Sequence, residues 1–198
     1  MIDKQELLEC SIRNFIKFGS KRFSMNELAS KLGISKKTIY KHFKTKDELV
    51  AKGVRLLTDK YLHEVDKIKK NNEDPLLKII LIKKTSFQYL NYFKPSFLYG
   101  IKKYYRNTDD FLKDFKVSFI ENDLKPLFEE AIEKKYLRNN FNTDLFCDLF
   151  FTKIQYLVFE PKNLIEIYGE DVVFEHLILN NLRGFITSNY NDTNKLFS

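Results

Sequence analysis

The chain has 198 residues, 43% of them hydrophobic, with 34 Lys and Arg against 27 Asp and Glu and a net charge of +7. That length suffices for a substantial core divided between one small and one larger domain. No apolar run reaches transmembrane length, and the first residues, with Asp3, Lys4 and Glu6, lack a signal peptide's apolar stretch, so no membrane partner and a cytoplasmic location are expected.

Charge is distributed unevenly. Residues 1–46 hold 11 basic and 4 acidic side chains, whereas residues 47–198 hold 23 of each, so the whole excess of +7 lies in the first quarter of the chain. Any single surface lysine is usually just solvated. An excess confined to one segment favours a polyanion footprint there.

Within that quarter, the segment SMNELASKLGISKKTIYKHFKTK, residues 24–46, places Leu28, Ala29, Leu32, Ile34, Ile39 and Phe43 at helical spacing on either side of Gly33. Ser24 followed by Glu27 is the capping-box pattern for a first helix. Ala29 is small where two helices must cross closely, Gly33 can take the positive φ that ends a helix, and Ser35 can cap the next one. The segment reads as a helix-turn-helix, residues 25–32 supporting and 36–43 recognising.

If Ile39 and Phe43 face inward, the 100° helical step turns Lys37 and Lys41 outward, with Thr38 beside them, toward base edges. Tyr40 and His42 fall on the flanks, where a phenol hydroxyl and an imidazole N–H suit phosphate oxygens. Lys46 adds a cation at the start of the following helix, whose N-terminus also attracts phosphate.

Downstream, a fourth helix is expected over about 46–70, ending at the polar break NNEDP, and a fifth from Pro75 to Phe93. A sixth follows Pro95 to about Tyr105. A seventh spans roughly 108–137 and contains Pro126, which lacks the N–H for an interior bond and should kink or split it. Thr143 and Asp144 can cap an eighth helix running to Glu160 before Pro161, and Gly169 separates it from a ninth over about 171–189.

Here the sequence resembles the tetracycline-repressor (TetR) family of bacterial transcription regulators. The likeness covers roughly residues 4–50: a first helix LLECSIRNFIKFG ending in glycine, a variable loop SKRF, and then the helix-turn-helix, with LGISKKTIYKHFKTKDEL following the family signature nearly position by position. It includes the pair Tyr40 and Phe43 and the acidic pair Asp47 and Glu48 opening the fourth helix. The resemblance implies phosphate contacts from Ser24, Thr38, Tyr40 and Lys46 and base reading by the outer face of the recognition helix, where Lys36 is expected to join Lys37 and Lys41 in contacting DNA. Lys36 and Lys37 stand where members vary, so sequence preference does not transfer, although a lysine in the major groove most readily meets guanine O6 and N7.

The implied fold class is all-α, with about nine helices: an N-terminal three-helix helix-turn-helix domain, residues 1–46, and a C-terminal helical effector-binding and dimerisation domain, residues 47–198. The family usually encloses an effector among its fifth to eighth helices. A pocket lined by some of Phe87, Phe97, Tyr104, Phe115, Phe119 and Phe151 suits an apolar or flat aromatic ligand, although plain core is the commoner fate of such an aromatic stripe. The same region also holds Tyr92.

The eighth and ninth helices carry apolar faces, including Phe146, Leu149, Phe150, Leu157 and Val158 on one and Val173 and Leu177 on the other, with Arg183 near the end of the chain's last helix. In the family, the corresponding helices of two subunits form a four-helix bundle. A homodimer also presents two recognition helices about one helical turn apart, as a pseudo-palindromic operator in double-stranded DNA requires.

The expected function is therefore a homodimeric repressor released by a small effector. Two other classes stand beside it: a carrier or enzyme for a hydrophobic small molecule with an accessory basic domain, and a DNA-binding regulator without an effector. No HExxH, GxSxG or Walker-type loop supports catalysis, and no cofactor is implied. Cys10 and Cys147 lie far apart with no histidine spaced to share a metal, so reduced thiols and no metal site are expected.

Overall fold

The structure is a computed structural model that describes residues 2–93, 95–159 and 164–191. The expected helix end at Glu160 and Pro161 lies outside the described residues, as do the side chains of Tyr92 and Val158. All elements among the described residues are helical apart from an isolated antiparallel bridge between Leu137 and Ile186, and the fold is all-α.

Helix α1 (Lys4–Phe18) begins where Asp3 accepts the Glu6 N–H and ends at Gly19, whose φ of 93° admits no side chain without strain. The expected capping box opens α2 (Met25–Lys31): Ser24 Oγ accepts the Glu27 N–H at 3.2 Å, and the Glu27 carboxylate accepts the Ser24 N–H at 2.7 Å. These bonds from Ser24 lower the Glu27 carboxyl pKa from its ordinary value. Gly33 turns the chain at φ 63°, and Ser35 caps α3 (Lys36–His42) through the Thr38 N–H at 3.0 Å. At the start of α4 (Lys46–Asn71), Thr45 Oγ1 accepts the Glu48 N–H and the Glu48 carboxylate accepts the Lys44 N–H.

Next come α5 (Pro75–Tyr92), α6 (Pro95–Tyr104) and α7 (Arg106–Phe119). Contacts divide the chain into two compact units, one formed by Met1–Leu62 with Asn91–Asp114 and the other by His63–Leu90 with Phe115–Ser198. The first unit is built on Leu7, Phe15, Leu28, Ile39, Phe43 and Val50, joined by Phe97, Ile101 and Tyr105 from α6 and its end. Helix α6 is therefore part of the core that supports the helix-turn-helix. Its Gly100 sits so close to the α1–α2 loop that an added Cβ would lie 2.2 Å from Ser20 Oγ. Ser20 Oγ donates to the Phe97 carbonyl at 3.2 Å, and the Tyr105 hydroxyl donates to the Ser20 carbonyl at 2.9 Å.

In the second unit, the expected long seventh helix is divided just before Pro126. A π-helical turn, Ile120–Leu124, widens the ladder there, and α8 (Lys125–Glu133) continues beyond it. A proline cannot donate the next ladder bond, so the wide turn falls where an α-helix would have lost one. The helix stops short of 137 because Lys135 takes φ 57° and the Tyr136 N–H returns to the Ala131 carbonyl, a left-handed closure made without glycine.

Helix α9 (Thr143–Phe159) is capped by Asn142, which accepts the Leu145 N–H at 2.9 Å, rather than by Thr143 or Asp144. Two short helices follow, α10 (Leu164–Tyr168) and α11 (Glu170–Phe174), with Gly169 at φ 87° between them. A second π-helical turn, Glu175–Leu179, leads into α12 (Asn180–Arg183). The last helix ends well before 189 because its continuation is used otherwise: Phe185 accepts the Arg138 N–H and Thr187 donates to the Tyr136 carbonyl, each at 3.0 Å.

Candidate nucleic-acid interface

The recognition helix is exposed in the manner its periodicity predicts. Ile39 and Phe43 are wholly buried, which turns Lys36, Lys37, Tyr40 and Lys41 outward. Thr38 and His42 are half-buried on the flanks. Thr38 Oγ1 lies 2.8 Å from Ser35 Oγ, so the two hydroxyls share a hydrogen bond at the helix start. Neither Lys37 nor Lys41 folds back into the core, and α3 offers two exposed ammonium groups about one turn apart.

Lys46 differs from them. Its ammonium donates to the carbonyls of Lys21 at 3.1 Å and Phe23 at 2.7 Å, leaving one of its three N–H bonds for another acceptor. Burial, and then the charge of Lys21, push its pKa down to about 8, so it remains mostly charged at neutral pH. It ties the α1–α2 loop to the start of α4.

Ser24, Lys36, Tyr40 and Lys46 line one open groove of about 330 Å³. Lys21, Met25, Asn26, Asp47, Tyr104 and Tyr105 complete it. Lys36 stands over the Tyr40 ring at 5.8 Å and Lys21 over the Tyr104 ring at 4.9 Å. Sequence reasoning selected the first pair as nucleic-acid contacts and did not bring the second pair to this groove. The run KKYY, residues 102–105, was the available signal, but nothing in the linear chain says that α6 packs beside α1.

Comparison with known proteins bears on this surface directly. A sequence model described as bacterial regulatory proteins, tetR family, matches residues 7–52, the helices just described. This segment of the chain carries that family's helix-turn-helix.

Solved structures extend the likeness to the whole fold. A TetR-family regulator from Agrobacterium tumefaciens is 17% identical, with a TM-score of 0.73, over 93% of this chain and 97% of that one. The regulator PfmR from Thermus thermophilus is 19% identical, with a TM-score of 0.70, over 89% and 97%. The fatty acid degradation regulator FadR from Bacillus halodurans is 17% identical, with a TM-score of 0.67, over 91% and 95%. No curated protein matches at a significant level. At these identities the structural likeness is one of fold, and the matched helix-turn-helix carries the functional class: a DNA-binding transcriptional regulator. No helix among the described residues is long and apolar enough to cross a membrane.

The aromatic residues considered for an effector pocket fall in both units. Phe97 is in the core of the first unit and Tyr104 is on its groove. The other four belong to the second unit: Phe87 packs edge-on to Phe174, Phe115 stacks on Phe119, and Phe151 meets Phe150.

Of the residues considered for a dimer interface, Phe150 and Val173 are buried within the single chain and Phe146 packs against Phe128 and Phe141. Leu149 and Arg183 are exposed. Leu157, Val173 and Leu177 line an apolar hollow of about 300 Å³ with Leu164, Tyr168, Val172 and His176.

The core of the second unit also contains Lys83, entirely buried, whose ammonium has no hydrogen-bond partner among the described residues. It lies 3.8 Å from the centroid of the Phe150 ring, 5.0 Å from Phe146 and 5.9 Å from Phe128. Burial pushes its pKa down to about 8. Cys147, buried nearby, has its thiol pushed up by burial and pulled partly back by the Lys83 charge, while Cys10 is half-buried near Arg13.

Proposed function

We propose that the chain acts as a homodimeric repressor of a pseudo-palindromic operator and is released when a small apolar or aromatic effector binds its second unit. The observation that carries the reading is the free outer face of α3, where Lys37 and Lys41 are exposed over buried Ile39 and Phe43. A rod with two cations one turn apart fits the major groove, where lysine can meet guanine O6 and N7. Ser24, Thr38, Tyr40, His42 and Lys46 would hold the flanking phosphates.

Dimerisation is favoured by apolar side chains left exposed on α9 to α11, including Leu145, Leu149, Tyr156, Tyr168 and Val172, and by the apolar hollow among them. A self-complementary patch of this kind closes a two-fold dimer. The density of aromatic side chains in the second unit favours an apolar effector held near Phe87, Phe115, Phe119 and Phe151. Helix α4 carries residues of both units, and an effector that shifts it would alter the spacing of the two reading helices. A coupling free energy of about 1 to 3 kcal/mol changes occupancy by roughly 5- to 150-fold, enough for a switch.

Selection of bound fragments from random DNA tests the reading. The expected product is a two-fold pair of half-sites about one helical turn apart, lost when Lys37 and Lys41 are both replaced by alanine. Recovery of single unpaired sites would overturn the dimeric operator. An unchanged consensus from the double variant would overturn the reading role of α3.

A further inference from the structure

The groove beside the recognition helix has two walls, and the second lies outside the helix-turn-helix segment. One wall is Tyr40 with Lys36 above its ring; the other is Tyr104, at the C-terminal end of α6, with Lys21 above its ring. Each wall offers a phenol hydroxyl and an ammonium. Tyr104 and Tyr40 are 43% and 41% exposed, so both hydroxyl-bearing rings are accessible from solvent.

The far wall is held firmly. Gly100 lies against Ser20, Ser20 bonds to the Phe97 carbonyl, and the Tyr105 hydroxyl bonds back to the Ser20 carbonyl. Lys21 and Tyr104 are the immediate neighbours of these clamped residues. Lys103, whose ammonium lies 5.5 Å from the Tyr104 ring and donates to the Tyr99 hydroxyl, adds charge beside the wall. Among the described residues, Asp47 is the only carboxylate lining the groove, against Lys21, Lys36 and Lys46.

We propose that this groove seats a phosphodiester of the operator backbone, so that Lys21 and Tyr104 form a phosphate contact from α6 and the α1–α2 loop, extending the footprint beyond the helix-turn-helix. The occupant follows from charge complementarity and continuity: the groove is cationic, and four of its residues are those selected for DNA contact. A backbone strand held by Ser24 and Tyr40 would have Lys21 and Tyr104 as its next donors. Contacts of this type bind all sequences alike and give affinity with a salt dependence.

The inference rests on the DNA-binding reading, and the two can fail separately. Fluorescence anisotropy of the full chain with a random-sequence duplex, titrated with salt, measures the slope of log affinity against log salt. Lys21→Ala should reduce that slope by about 1 for each protomer bound. Tyr104→Phe, which removes only a hydroxyl, should weaken binding by roughly threefold to tenfold with the slope kept. Lys60→Ala, a lysine of the same unit paired with Glu9, serves as the control and should leave both unchanged. Wild-type affinity and slope in the Lys21 and Tyr104 variants would overturn the groove contact alone, as would an equal effect from Lys60→Ala, which would mark a general field. Failure of the unaltered chain to bind any duplex would overturn the DNA-binding reading and this contact with it.

Discussion

Two of the molecule's lysine environments, one in each unit, show opposite ways of carrying charge. In the first unit the cations lie on the surface, and even Lys46, pushed down to about 8 by burial, spends its ammonium on two carbonyls. In the second, Lys83 is fully enclosed, faces three phenyl rings and has no acceptor among the described residues. The same side chain is open to solvent in one place and a cost to stability in the other. Ring quadrupoles supply about 2 kcal/mol or more per desolvated contact, less than full hydration of an ammonium.

The sharpest way to break this contrast is to remove the closest ring. Phe150→Ala should both open a cavity and strip Lys83 of its 3.8 Å partner, lowering stability by about 3 to 5 kcal/mol in a thermal or denaturant melt. A loss below about 1 kcal/mol would mean that the rings do not hold the cation. The complementary change, Lys83→Met, keeps the aliphatic volume and removes the charge, and should raise stability by about 1 to 4 kcal/mol.

Lys83 also predicts a pH signature. Below about pH 8 its amine is charged in both folded and unfolded chains, and the burial penalty is fully present. Between about 8 and its ordinary value of 10.5, the unfolded chain binds the proton more tightly, so stability from this group rises with pH, by about 3 kcal/mol in all. Subtracting the Lys83→Met profile isolates the effect, because other groups titrate in both proteins. A flat difference across that window would show that the folded-state value is not depressed.

Legibility in the sequence followed the range of the interactions. The capping box at Ser24 and Glu27, the turn at Gly33 and the burial of Ile39 and Phe43 are decided within a few residues, and all stand where the pattern placed them. The end of α8 was misplaced because Lys135, not a glycine, takes the left-handed turn, and that of the last helix because Phe185 and Thr187 bond to the distant segment of Tyr136 and Arg138. Lys83 reads in sequence as an ordinary helix cation. Only the packing of α5 against rings from α8 and α9 reveals it as buried. The pairing of Tyr104 with Lys21 escaped for the same reason, since the two are 83 positions apart.

A smaller effect checks the local end of the contrast. Ser24→Ala removes one cap bond and leaves the Glu27 carboxylate accepting only a backbone N–H, so it should cost about 1 kcal/mol of stability. Duplex affinity should fall as well if Ser24 also holds a phosphate.

The smallest stability change belongs to the residues expected to matter most for DNA. Lys37 and Lys41 are exposed, and neither forms an ion pair among the described residues, so replacing both by alanine should move the melting free energy by no more than about 0.5 kcal/mol each. Alanine's helix propensity is slightly better than lysine's, and relief of repulsion among the clustered cations acts in the same direction. A double variant that melts normally and yet loses its operator consensus separates reading from folding, whereas Phe150→Ala should lose both together. If the double variant instead melted several degrees lower, those ammonium groups would have to be anchoring the first unit, and the division between surface cations that bind and buried cations that burden the fold would not hold.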